Sequence, residues 1–257
     1  MSAIAFEAPQ TRPLGRNRII AVFRLFFVNP TQMVWQPLMI YAFVFGVNWL
    51  IWLVASLAPD VEASGMEQGT RWSGASAFAF VWQLVVAVQA MNKTFPFALG
   101  LGATRRDYYL GTALALVTMS AAWAVLIGLL ALVEDATGGW GLGGHMFAVN
   151  YFGDDGPLMR TWYVFLLMLF FASLGTVAGA LFVRWRTWGL LAFFAVIVVL
   201  LVGGFAWILL SDGWGAVGAF FAGNGFSGSY PLLLVPVAVS GVLGWAALRG
   251  ATAKSGA

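Results

Sequence analysis

The densest set of chemically capable residues lies between Asn92 and Tyr109, in the run NKTFPFALGLGATRRDYY. Thr104 and Asp107 have the spacing of a helix start. The threonine hydroxyl accepts from an amide of the first turn, and an acid three residues on returns a bond to the cap's own N–H. Arg105 and Arg106 then fall on that first turn, where positive charge opposes the helix dipole, so local stability does not explain them. Just upstream, Phe95, Phe97, Leu99 and Leu101 give an apolar ridge in a short connection. A ridge of this kind needs a surface that covers it. Two readings follow from the residues: the connection folds against a membrane face, with the arginines setting topology, or it docks another protein.

The remaining candidates are sparse. Cysteine is absent and His145 is the sole histidine, which excludes disulfides, thiolate chemistry and a cysteine/histidine zinc site. Asp154-Asp155 reads as a polar turn. No Gly-x-x-x-x-Gly-Lys-Ser/Thr phosphate loop is present. Within the apolar runs stand Gln36, Asn48, Gln83, Gln89 and Asn92, with no firmly placed acid or base, which argues against a carrier built around a buried carboxylate. Gln83, Ala87 and Ala90 share a helical face, with Gln89 on a neighbouring one. That face, with Asn92, either lines a pathway or makes interhelical hydrogen bonds, the second being favoured. Gly175 and Gly179 have the spacing that lets helices approach closely without naming the partner.

The elements that carry these residues are helices in lipid. Of 257 residues, 61% are hydrophobic and 9% charged, where a soluble domain is roughly a quarter charged. Apolar runs at about 33–58, 76–92, 107–133, 158–183, 187–210 and 230–248 each approach the ~20 residues that cross a bilayer. The fold expected is therefore all-α, one membrane domain over 1–257 with about six spans. If the N-terminus is cytoplasmic, the inner segments hold Arg12, Arg16, Arg18, Arg24, Lys93, Arg105, Arg106, Arg184, Arg186, Arg249 and Lys254, leaving only Arg71 and Arg160 outside. Asp60, Glu62, Glu67, Glu134, Asp135, Asp154, Asp155 and Asp212 then fall outside. Both termini are expected in the cytoplasm.

Residues 16–30 carry Ile19, Phe23, Phe26 and Phe27 at helical spacing, with Asn17 and Arg24 opposite and Pro30 as a stop, the pattern of an interfacial amphipathic helix. No cleavable signal peptide is expected at the start. Loop 134–160 is expected outside, ordered by turn formers and aromatics, and 211–229 as an external re-entrant or interfacial hairpin.

The run Phe95-Pro-Phe-Ala-Leu-Gly-Leu-Gly-Ala-Thr-Arg-Arg-Asp-Tyr-Tyr-Leu-Gly-Thr112 resembles the cytoplasmic segment between the second and third spans of type-2 permease subunits of bacterial ABC transporters. In that family the segment forms a coupling helix seated in a groove of the ATPase subunit. The resemblance implies that 93–107 is the coupling loop and that Phe95, Pro96, Phe97, Leu99, Thr104, Arg105, Arg106 and Asp107 dock the ATPase. It also implies a second permease copy or homologous permease, and a location in the bacterial plasma membrane. No cofactor is expected in this chain, ATP and Mg belonging to the ATPase, and nucleic acid is not an expected partner. The function implied is export of a hydrophobic or amphipathic substrate. An intramembrane enzyme acting on lipid-linked substrates, or a non-transporting scaffold or sensor subunit, is the alternative.

Overall fold

In the computed structural model residues 18–58 and 63–250 are described, and among them every regular element is a helix. Arg12, Arg16, Asn17, Lys254, Asp60 and Glu62, used above to argue orientation and the N-terminal helix, lie outside the described residues. The chain runs α1 (Arg18–Phe26), α2 (Gln36–Ser56), α3 (Ala63–Thr70), α4 (Ala77–Gln89), α5 (Phe95–Gly100), α6 (Arg105–Ala136), α7 (Pro157–Leu210), α8 (Trp214–Ser229) and α9 (Leu234–Arg249). Four helical stretches are long and apolar enough to cross a membrane: Thr31–Ser56, Arg105–Ala136, Pro157–Leu210 and Trp214–Arg249. This is a multi-pass membrane protein.

Local chemistry accounts for the breaks. Pro30, expected as a stop, instead heads the next helical stretch in αR conformation, its fixed φ suiting a helix start, and a π-helical turn, Thr31–Trp35, leads into α2. A second π turn, Ala90–Thr94, joins α4 to α5. There Pro96, which has no N–H to give back to the preceding turn, is accommodated by widening the helix at its entry. α7 extends over 54 residues, but Arg186 inside it is non-helical (φ 56°, ψ −142°), so 157–185 and 187–210 are separate rods. α8 is broken in the same way at Gly225 (φ 59°).

Because lipid is as apolar as leucine, close approach rather than water exclusion must hold such helices together. The tightest seam is α4 on the first half of α7. A Cβ at Gly175 would collide with the Leu84 carbonyl and stand 2.9 Å from the Ala87 Cβ, and one at Gly179 would stand 2.7 Å from the Met91 Cβ. The small-residue pair thus acquires its partner, α4. α1 closes on α6 in the same manner, with Gly111 leaving room for the Ile19 carbonyl and Val22. α1 buries Val22 and Phe26 in this contact while Phe23 and Phe27 stand half-buried beside them, so it is clamped to the bundle by its own face. The expected interval 16–30 is thereby shortened, since the helix ends at Phe26 once Arg24 and Leu25 carbonyls are taken up by the turn to Phe27 and Val28.

The two ends of the bundle differ in charge. One gathers Arg105, Arg184 and Arg249, the first two bonding carbonyls at the end of α9. The other holds the 134–160 loop with Glu134, Asp135, Asp154 and Arg160. Rod 187–210 and α8 are exposed along almost their whole length. The most apolar window of α7 contains no buried residue.

Candidate functional site

At the basic end α5 and the start of α6 form a helical corner, where the sequence suggested a loop. Its turn is closed by a Schellman motif. The Ala103 amide donates to the Ala98 carbonyl at 3.1 Å and the Gly102 amide to the Leu99 carbonyl at 3.0 Å. This requires a left-handed residue, and Gly102 supplies it at φ +85°. Extended Thr104 then caps α6, its hydroxyl accepting from the Asp107 amide at 3.1 Å. Among the described residues the Asp107 carboxylate makes no return bond, so half of the capping box is formed.

Helical winding changes the expected ridge. Residues 95, 97, 99 and 101 line up only on an extended chain, whereas on a helix they spread around the axis. Phe95 turns inward and is fully buried, its ring edge-on to Tyr108 at 5.2 Å. The Tyr108 hydroxyl donates to the Ala90 carbonyl at 2.5 Å, tying α6 to the π turn. Phe97 (57%) and Leu101 (48%) stay exposed, while Pro96 and Leu99 are half-buried. α5 and its C-cap therefore present an exposed apolar pair on a root locked into both neighbouring helices.

The arginines separate in role. Arg105 Nη1 donates to the Arg249 carbonyl at 2.6 Å and Arg184 Nη1 to the Ala246 carbonyl at 3.2 Å, so both satisfy carbonyls left open at the end of α9. Positive charge suits that end of a helix, which explains why Arg105 tolerates its own unfavourable N-terminal position. Arg106 is exposed and among the described residues has neither ion pair nor hydrogen bond; it heads a groove between α6 and α9.

No family model, curated protein or solved structure matches the chain.

Gln83, Gln89 and Asn92 are not brought together. Gln83 is fully buried and its Nε2 donates to the Leu116 carbonyl and to Ser120 Oγ, both at 3.1 Å, joining α4 to α6. Gln89 is exposed and Asn92 half-buried. The face shared by Gln83, Ala87 and Ala90 is real, and all three are buried in helix contacts.

At the opposite end the structure holds a polar centre that spacing did not reveal. Glu134, assigned above to the external acids, is buried with no exposed surface. Its carboxylate accepts from Trp140 Nε1 at 2.9 Å and from the amides of Met146 (3.0 Å), Phe147 (3.2 Å) and Ala148 (2.8 Å). His145 Nδ1 stands 3.4 Å away. Gly138 and Gly139, both at positive φ, fold the chain back so that these donors converge. The signal available was an acid in the last turn of a span followed by glycines and an aromatic. Nearby, Arg71 donates to Glu67 at 2.5 Å, and this hydrogen bond and its charge hold the Glu67 carboxyl below its ordinary range. Arg160 pairs with Asp135 at 2.7 Å.

Proposed function

We propose that this protein is the membrane-spanning permease subunit of an ATP-driven exporter, and that α5 is where a separate ATPase subunit engages it. The observation that carries this reading is the construction of α5. An exposed apolar pair, Phe97 and Leu101, stands at the basic end on a helix whose Phe95 is buried against α6 and whose π turn is bonded by Tyr108. A load on the pair reaches α4 and α6 through rigid contacts rather than through a flexible loop, which is what a motor needs of its transmission. In this reading ATP and Mg are bound by the partner subunit, and a second permease copy or homologous permease completes the translocation pathway.

Six spans suit the geometry, at 31–56, 77–94, 105–136, 157–185, 187–210 and 230–249, with Arg186 as the inner turn between the fourth and fifth. The gathering of basic residues at one end favours that end, with both termini, on the cytoplasmic side of a bacterial plasma membrane. α8, apolar and broken, is then the external hairpin before the last span.

The test is Phe97→Glu combined with Leu101→Glu, scored by affinity purification in mild detergent. Losing two apolar anchors from one small interface is expected to reduce co-purification of an ATP-hydrolysing subunit and its vanadate-sensitive turnover by at least about ten-fold, with membrane insertion unchanged. Undiminished recovery of that subunit overturns the docking role of α5.

A further inference from the structure

α6 and α9 both pack on the first half of α7 but diverge from one another, leaving an apolar gap that α7 floors. Toward the basic end this gap is a groove of about 490 Å³, with Arg106 at its mouth and Leu110, Ala238, Val242 and Trp245 along its walls. Deeper in, past Tyr109 and Gly241, it meets a chamber of about 130 Å³ reaching Leu116, Ala172 and Thr176. The Tyr109 hydroxyl donates to the Gly241 carbonyl at 2.6 Å across the junction, and its ring lies 5.5 Å from Trp245. Among the described residues no segment of this chain covers the gap.

We infer that the α6/α9 groove is a binding site for one anionic phospholipid, its phosphate on Arg106 and an acyl chain along Leu110, Val242 and Gly241. The charge pattern selects this occupant. A neutral helix from a partner would leave Arg106 without a counter-ion, whereas a phospholipid combines a long apolar chain with an anion at one end. Arg105 does not line the groove, and its Nη1 is bonded to the Arg249 carbonyl at the end of α9. Trp245 and Tyr109 sit at the same depth, as amphipathic rings do at the headgroup level. Basic pockets between membrane helices are known to take anionic headgroups in this way. The inference requires only that the chain spans a membrane, and it stands or falls separately from the transport reading.

The test is native mass spectrometry of the delipidated protein titrated with phosphatidylglycerol or with phosphatidylcholine of the same chains. The wild type is expected to retain one phosphatidylglycerol in preference to phosphatidylcholine. Arg106→Gln should lower that preference about five-fold, the effect of one basic residue at an anionic surface. Ala238→Trp, an exposed position whose new ring would fill the groove, should remove retention of both lipids. Arg186→Gln, an exposed arginine at the α7 break, is the control for general surface charge and should leave the preference intact. Inorganic phosphate at millimolar concentration should not displace the lipid, since it lacks the chain. Equal retention of the two lipids by the wild type, or the same loss in Arg106→Gln and Arg186→Gln, overturns the site.

Discussion

The two ends of this bundle use charge in opposite ways. At the loop end the deciding charge is internal: Glu134 is sealed from solvent and gathers four N–H donors from the following loop, the last of them the Ala148 amide fourteen residues on. At the basic end the deciding charges stay at the surface, where Arg105 and Arg184 reach sideways to carbonyls of α9. A buried carboxylate is tolerable only when its oxygens are fully bonded, so Glu134 dictates a single loop conformation. A surface arginine bonding a helix terminus is in competition with water, so it biases geometry without dictating it. The loop end is thus fixed by one enclosed carboxylate, whereas the arginine bonds to the end of α9 stay open to water.

That contrast is open to measurement by thermal denaturation in detergent. The largest effect is expected for Glu134→Ala, which strands the amides of Met146, Phe147 and Ala148. With each buried unbonded donor costing about 1–3 kcal/mol, a loss of roughly 3–5 kcal/mol and early proteolysis within 138–152 should result. A loss below about 1 kcal/mol would mean that the aromatic packing of Phe147 and Trp140 against Phe45, and not the carboxylate, shapes the loop. Asp135→Asn, which weakens the half-exposed pair with Arg160, is expected to cost about 1 kcal/mol. Arg105→Gln should cost the least, about 0.5 kcal/mol, and show itself chiefly as faster amide exchange at the end of α9. If Arg105→Gln instead destabilised the protein as much as Glu134→Ala, the basic end would be as rigid as the loop end and the contrast would fail.

A second difference separates the packed body from the rod 187–210 with α8. The body is sewn by glycines such as Gly111, Gly175 and Gly179, each of which admits a neighbouring backbone. The rod keeps Leu200, Leu201 and Trp207 exposed on all sides, although its composition is as apolar as any other span. Hydropathy marks both as membrane helices and has no means of telling them apart, because in lipid the packed and the exposed face are equally apolar.

Composition, run length and local capping were sufficient for the all-helical membrane class, for the interruption near Arg186, and for the start of α6 at Thr104. These depend on local chemistry: the cost of charge among apolar residues, and the reach of a cap hydroxyl to an amide three residues on. Tertiary structure alone decided what each polar group meets. The Gln83 amide spans to α6, Arg105 reaches an α9 carbonyl 144 residues away, and Glu134 is enclosed by its own loop. It also turned Phe95 inward while leaving Phe97 out, because a helix places successive residues about 100° apart and the Schellman turn at Gly102 fixes which side faces the bundle. Pairing of this kind depends on which surfaces the folded chain brings within hydrogen-bond distance, and residue type and spacing do not encode that without the helices' mutual placement.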